Sequence, residues 1–205
     1  MKIGKAMPYA DLPPQIQERV ICSISAAVKY EIPVNIMLAV AEKEAGKPGQ
    51  WVQNSNGTYD VGPMQFNTKY MHDLARYGIK PSDVATSGCY SFDLAAWRLR
   101  GHIKNDKGDL WTRVANYHSR TPKYNVVYRA DLRLKAAKWA DWVAARFVTV
   151  EVTKTRGVPS PSQQLNLVEM TNALTVSSAK SATPETATKN TSGYVPRKLI
   201  INGQP

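Results

Sequence analysis

Apolar residues in the first 150 positions recur at helical spacing, and nowhere there do they alternate strongly as a half-buried strand would. That property confines the chain to a mostly α architecture. Pro13 and Pro14 suit the first turn of a helix over about 13–31, whose stripe is Ile16, Val20, Ile24 and Val28, with Cys22 near its edge. Pro33 restarts the chain as a second helix, and Gly46 is placed to stop it. Residues 46–66 hold four glycines and two prolines among several Asn and Gln, so they read as an ordered loop that can carry a short hairpin at NSNGTYD. A third helix covers about 67–77, with Gly78 as its stop, and a fourth about 90–105, where Phe92, Ala96, Leu99 and Ile103 share a face. Asp109 can N-cap a fifth that carries Leu110, Val114 and Tyr117. A long helix follows over about 123–148, bearing Trp139 and Trp142.

Past Val150 the composition shifts to Ser, Thr, Ala, Lys and Pro with almost no aromatic residues. Such a stretch buries too little apolar surface to offset its ordering entropy. The expected organisation is therefore an N-terminal extension over 1–12, a helical domain over 13–150, and a linker with a largely irregular tail over 151–205. The closing YVPRKLIINGQP can dock as a short strand or serve as a partner-binding end.

A chain of 205 residues has room for one domain of about 150 residues with a real core, plus that appendage. It holds no apolar run of about 18 residues, so no membrane span is expected. The net charge of +11 points to an anionic partner. Because the basic residues are dispersed and no helix-turn-helix, zinc or aromatic-rich signature accompanies them, nucleic acid is not the expected one. Cys22 and Cys89 form no CxxC, and the three histidines give no zinc spacing, so neither metal nor cofactor is expected. The two cysteines read either as buried free thiols or as one disulfide in an oxidising compartment. Against export, MKIGKAMPYADLPPQ has lysines but no apolar core of a signal peptide. The sequence leaves that conflict open.

One acid stands out. Met37, Val40, Ala41 and Glu44 fall on one helical face, and the fourth is a carboxylate just before the Gly-rich loop. The negative end of the helix macrodipole and apolar neighbours both disfavour its charged form and raise its pKa. An acid still protonated near neutral pH is what proton donation to a leaving oxygen requires. Glu42, two residues earlier, faces away and reads as solvated beside Lys43.

Downstream motifs give Glu44 a context. LAVAEKEAG is followed by Gly62-Pro63-Met64-Gln65-Phe66-Asn67 and then by Ala115-Asn116-Tyr117-His118-Ser119. In this order the chain resembles the Slt-type lytic transglycosylases, glutamate-dependent enzymes of lysozyme-like fold that cleave peptidoglycan. Their motifs are a helix-ending glutamate, Gly-Leu-Met-Gln and Ala-Tyr-Asn-Ala-Gly. NSNGTYDVGPMQFNT, the cysteine pair and ANYHSRTP look more specifically like the small members attached to conjugation, type IV pilus and type III secretion machines. The likeness covers about residues 18–148 and leaves the tail outside. It implies a lysozyme-like helical domain acting on peptidoglycan strands in the periplasm or cell envelope. A monomer is expected, with the tail free to engage an envelope apparatus.

The resemblance assigns Glu44 as catalytic and Gly62, Met64, Gln65, Asn67, Tyr117, His118 and Tyr124 as substrate-binding. A later tyrosine that helps hold the glutamate matches best at Tyr124, with Tyr128 as competitor. Gly62 would let backbone approach a sugar, Met64 and Gln65 would pair an apolar wall with an amide, and Tyr117 would wall the cleft. Three positions depart from the pattern: Ala45 follows the glutamate where Ser is frequent, Pro63 replaces Leu, and His118 replaces Asn. The implied chemistry uses one carboxylate. Glu44 protonates the glycosidic oxygen, the substrate N-acetyl group helps to stabilise positive charge, and the sugar's own C6 hydroxyl closes an anhydro ring. Asp60 is the nearby acid that could make the enzyme hydrolytic instead, or it simply stabilises the turn after NGTY. A lysozyme-type hydrolase and a non-catalytic wall-binding assembly factor are the competing readings.

Overall fold

The computed structural model describes residues 9–151 and 197–199. The remainder of the expected extension and tail, residues 1–8, 152–196 and 200–205, lies outside the described residues. Helix α1 (Pro14–Lys29) begins with Pro at its first turn and buries Val20, Cys22, Ala26 and Ala27. Helix α2 (Val34–Glu44) follows Pro33 and packs against both α1 and the long α7 (Pro122–Ala144). The expected single apolar face of α2 is too narrow a description, because every residue from Val34 to Ala41 is buried. A helix apolar all round belongs in the middle of a core. Even Asn35 is enclosed there, donating from Nδ2 to the Ala136 carbonyl at 3.1 Å. The acid at the end of α2 thus emerges directly from the packed centre.

Helix α2 stops one residue before Gly46. Ala45 takes the left-handed conformation (φ 49°), and its N–H reaches the Ala41 carbonyl at 3.1 Å. Gly46 is needed for a different reason: a Cβ there would stand 2.1 Å from the Gly62 carbonyl oxygen. The Gly46 N–H donates to the Pro63 carbonyl at 3.2 Å, so the end of α2 and the Gly62–Gln65 loop touch backbone to backbone.

The expected hairpin is present but belongs to a three-stranded antiparallel sheet in the order β1 (Trp51–Gln53), β2 (Tyr59–Val61), β3 (Phe66–Asn67). Trp51 pairs with Val61 and Asp60 with Asn67. Asn54 and Thr58 close the turn between β1 and β2 through a 2.8 Å backbone hydrogen bond. Asn67 then caps α3 (Thr68–Leu74), accepting from the Lys69 N–H at 3.0 Å, and a 3-10 turn over Ala75–Tyr77 ends at Gly78. Short α4 (Pro81–Ala85) precedes α5 (Tyr90–Asn105). Asp109 caps α6 (Leu110–Ala115) as expected, its Oδ1 accepting from the Thr112 N–H at 3.0 Å.

Of the two readings of the cysteines, the disulfide is the one found: Cys22 of α1 is bonded to Cys89 at the start of α5. Finally, β4 (Thr149–Glu151) pairs antiparallel with β5 (Arg197–Leu199), so the closing segment does dock as a short strand, with Leu199 against the core. No helix among the described residues is long and apolar enough to cross a membrane. The architecture is mostly α and lysozyme-like, with the loop between β2 and β3 held against the end of α2.

Candidate active site

Glu44 stands where α2, the Gly62–Gln65 loop, the segment after α6 and the first turns of α7 converge. One cavity of about 460 Å³ is lined by Glu44, Asp60, Gln65, Asn67, Arg98, Tyr117, His118 and Tyr124, with Asn54–Asn56 at its sheet end. A second, of about 340 Å³, is lined by Lys43, Glu44, His118, Tyr124, Val127 and Tyr128. Glu44, His118 and Tyr124 line both, so the carboxyl stands at the waist of a groove that continues to either side. A larger cavity of about 700 Å³ lies beyond Arg98 and does not include Glu44. Size does not make it the reaction centre, because the perturbed acid is in the smaller one.

The environment of Glu44 sets its charge. Burial is the main influence and lifts its pKa from 4.5 to about 7; Asp60 also acts upward. The Tyr128 phenol, which donates a short hydrogen bond to Glu44 Oε1, acts downward, as do Arg98 and Lys43. Desolvation wins, so the carboxyl is about half protonated at neutral pH. Tyr128 is itself buried, and burial pushes its phenol well above its ordinary range, keeping it a donor.

The tyrosine that holds the acid is therefore Tyr128, not Tyr124. The two lie one turn apart on α7, and Tyr128, 4% exposed, occupies the inner turn, whereas Tyr124 is 52% exposed on the rim of the groove. His118 stacks on the Tyr128 ring, with centroids 4.7 Å apart and planes 5° from parallel. Burial lowers the His118 pKa and favours the neutral imidazole. Where the family pattern has Asn, this imidazole covers one face of the phenol ring that is hydrogen-bonded to Glu44.

Two other assignments change. Met64 is fully buried and does not line the groove; its carbonyl accepts from the Tyr117 hydroxyl at 3.0 Å. Gly62 (φ 71°) is also buried, and a Cβ there would fall 2.0 Å from the Val84 carbonyl oxygen. The close approach it permits is to the backbone of α4 at Val84, not to a sugar. Both residues build the wall from behind. Gln65, at φ 49°, does face the groove, with Nε2 donating to the Gly62 carbonyl at 2.8 Å. Tyr117 lines the groove too, although its hydroxyl is already engaged and burial raises its pKa. Asn67 Nδ2 donates to Asp60 Oδ1 and to Thr58 Oγ1, both at 2.9 Å, which braces the sheet end of the cleft. Asp60 thus both lines the groove and serves its turn. Glu42, expected to be solvated, accepts from Lys138 Nζ and Trp139 Nε1, each at 2.6 Å.

Sequence reasoning missed Arg98. Its guanidinium carbon lies 4.1 Å from the Tyr70 ring centroid and 4.7 Å from that of Tyr117, a cation held between two aromatic faces. Among its neighbours Trp97, Leu99 and Arg100, nothing in the sequence distinguishes it; only the packing of α5 brings it to the groove.

Tyr128→Phe isolates the tie between phenol and acid. Losing a donor that stabilises the carboxylate moves the Glu44 pKa further up, so the alkaline limb of a lysis-versus-pH profile is expected to shift to higher pH. The maximal rate should fall by about tenfold as positioning is lost. A limb that moves down would show that the phenol does not stabilise the ionised acid.

An acid of raised pKa at the end of a core helix, tied to a phenol in an open groove on a lysozyme-like helical body, is the arrangement the sequence motifs led one to expect. The chain belongs to the transglycosylase SLT domain family, whose profile matches residues 21–133. It is 29% identical over 134 residues to the invasion protein IagB of Salmonella typhimurium, covering 63% of this chain and 80% of that one. Protein IpgF of Shigella flexneri is 31% identical over 125 residues, covering 56% of this chain and 82% of its own. An Escherichia coli X polypeptide is 25% identical over 154 residues, covering 73% and 84%.

Proposed function

We propose that the protein is a peptidoglycan lytic transglycosylase that cleaves the MurNAc–GlcNAc β-1,4 bond with formation of 1,6-anhydromuramic acid. The observation that carries this reading is the Glu44 carboxyl, half protonated near pH 7 at the waist of the groove and tied to Tyr128. Its proton passes to the glycosidic oxygen as the bond to the muramic C1 breaks. The substrate's N-acetyl oxygen covers the developing positive charge at C1. Glu44, now ionised, takes the proton of the C6 hydroxyl while that oxygen bonds to C1, which regenerates the acid. Arg98, Lys43 and the Tyr128 donor favour the ionised form, and burial favours the neutral one, so one group can serve both steps. Gln65, Tyr117, His118 and Tyr124 line the path of the strand, with Met64 and Gly62 shaping its wall.

The net charge of +11 suits an anionic wall polymer. The Cys22–Cys89 bridge suits an oxidising compartment, which supports a location in the periplasm or cell envelope. There the enzyme would open the wall locally for a transfer or secretion apparatus; one relative carries the name of an invasion protein. Domain limits of 1–12, 13–150 and 151–205 fit this reading, with the tail engaging the apparatus.

Asp60 keeps a lysozyme-type hydrolase as the second reading, because it lines the same cavity as Glu44. Digestion of purified sacculi in ¹⁸O-water, followed by mass analysis, separates the two. Anhydromuramic ends without ¹⁸O are the expected products. Reducing ends that carry ¹⁸O would replace the transglycosylase with the hydrolase.

A further inference from the structure

We propose that Asp106, outside the Glu44 groove, is a positioning residue that holds His118 in place at the waist of that groove. The proposal rests on the reading of the groove as a peptidoglycan site. Asp106 follows the last residue of α5, and its N–H closes that helix on the His102 carbonyl at 3.1 Å. Its carboxylate gathers donors from α5 and from the segment after α6. Asn116 Nδ2 reaches Oδ2 at 2.8 Å, Arg120 Nη2 reaches Oδ1 at 3.0 Å, and His102 Nδ1 lies 2.7 Å from Oδ2. Burial acts to raise the pKa of Asp106, yet these hydrogen bonds prevail and hold it at about 2, so the group stays ionised. A charged acceptor makes the stronger tie.

The spacing of the tied residues gives the tie its purpose. Asn116 and Arg120 line neither cavity of the groove, whereas Tyr117, His118 and Ser119 between them all line it. One carboxylate therefore grips both ends of the segment that walls the groove. Of the three lining residues, Tyr117 is fixed independently by its hydrogen bond to the Met64 carbonyl, and Ser119 Oγ accepts from the Thr121 N–H at 3.1 Å. The exposed His118 ring makes no hydrogen bond among the described residues, so only its backbone and the Tyr128 face place it. It is the side chain that depends on the turn. His118 stands beside Glu44 in both cavities and covers the phenol that donates to that acid. A displaced ring there disturbs the point of cleavage, where small misplacements cost rate steeply.

Two readouts on the full chain test this with Asp106→Asn, which keeps the size, removes the charge and turns an amide toward the donors. The first needs no activity. Stacked on Tyr128, the His118 ring protons should be shifted upfield in proton NMR, and the chain has only three histidines to assign. In Asp106→Asn these resonances are expected to move back toward unstacked values while circular dichroism shows the fold intact. The second readout is kinetic. On soluble, uncrosslinked glycan strands, kcat for anhydromuramic release should fall about tenfold while KM changes less than about threefold. In a His118→Ala background the same substitution should cost less than about twofold, because the side chain it acts through is gone. Asn116→Ala, which cuts one end of the tie and leaves the carboxylate, carries the same expectations. Unmoved ring resonances would overturn the proposal, leaving Asn125 of α7, which donates to Asn116 Oδ1 at 2.9 Å, to hold the turn alone. An equal loss of rate in the two backgrounds would also overturn it, as the mark of a general structural role. A wild type that releases no anhydromuramic ends removes the reaction but not the tie, which the resonances still decide.

Discussion

Glu44→Gln is expected to reduce lysis of purified peptidoglycan by about 10²–10⁴-fold. Glutamine keeps the shape and can still accept from the Tyr128 hydroxyl, but it has no proton to give. The same substitution should leave the protein more stable, not less, above neutral pH. Glu44 has a folded pKa of about 7 against 4.5 for the free group, so the native state holds the proton more tightly than the unfolded chain does. Wild-type stability should therefore fall as pH rises from about 4.5 to about 7, and the deficit should persist above that. A shift of this size corresponds to about 3 kcal/mol. In Glu44→Gln that slope should flatten, and its unfolding temperature at pH 8 should exceed that of wild type. Urea or thermal unfolding at pH 5 and pH 8, read beside turbidity clearing of sacculi, measures both effects. Undiminished clearing by the variant would remove Glu44 as the proton donor.

Reducing the Cys22–Cys89 bond should produce the largest loss of stability. It closes a loop of 67 residues containing α2, the sheet, α3 and α4. In the chain-entropy account such a loop contributes about 4 kcal/mol. That is a large part of the 5–15 kcal/mol that holds a typical domain together. Cys22 is buried in α1, whereas Cys89 is at the exposed start of α5, so a small thiol has access from one side. The urea midpoint of the reduced protein, or of Cys22→Ser/Cys89→Ser, should drop accordingly. A change below about 1 kcal/mol would show that packing between α1 and α5 suffices without the bridge.

How much was legible in the sequence differs from element to element. The bounds of α5 matched the reading at both ends, and α6 began where Asp109 announced it, because local capping and periodicity agree there. Helix α2 was found, but its complete burial was not, because a single-face template cannot register a helix with neighbours on several sides. Strands of two or three residues, such as β3, are too short to show alternation, and only hairpin chemistry around Asn56 and Gly57 betrayed the sheet. In the site, the position of Glu44 at the end of an apolar helical face drew attention to it, and the motifs downstream gave that position a meaning. Tyr124 and Tyr128 were not separable, since residues four apart share a helical face and only tertiary packing decides which turn points inward. Met64 and Gly62 belonged to a recognisable motif, yet their contribution is to the wall behind the groove. Arg98 had no motif at all.

The pairing of β4 with β5 ties the segment just past α7 to Arg197–Leu199. With Leu199 seated against the core, a pull on the chain near residue 199 would load the short β4–β5 ladder before it could disturb α7 and the groove that its first turns border.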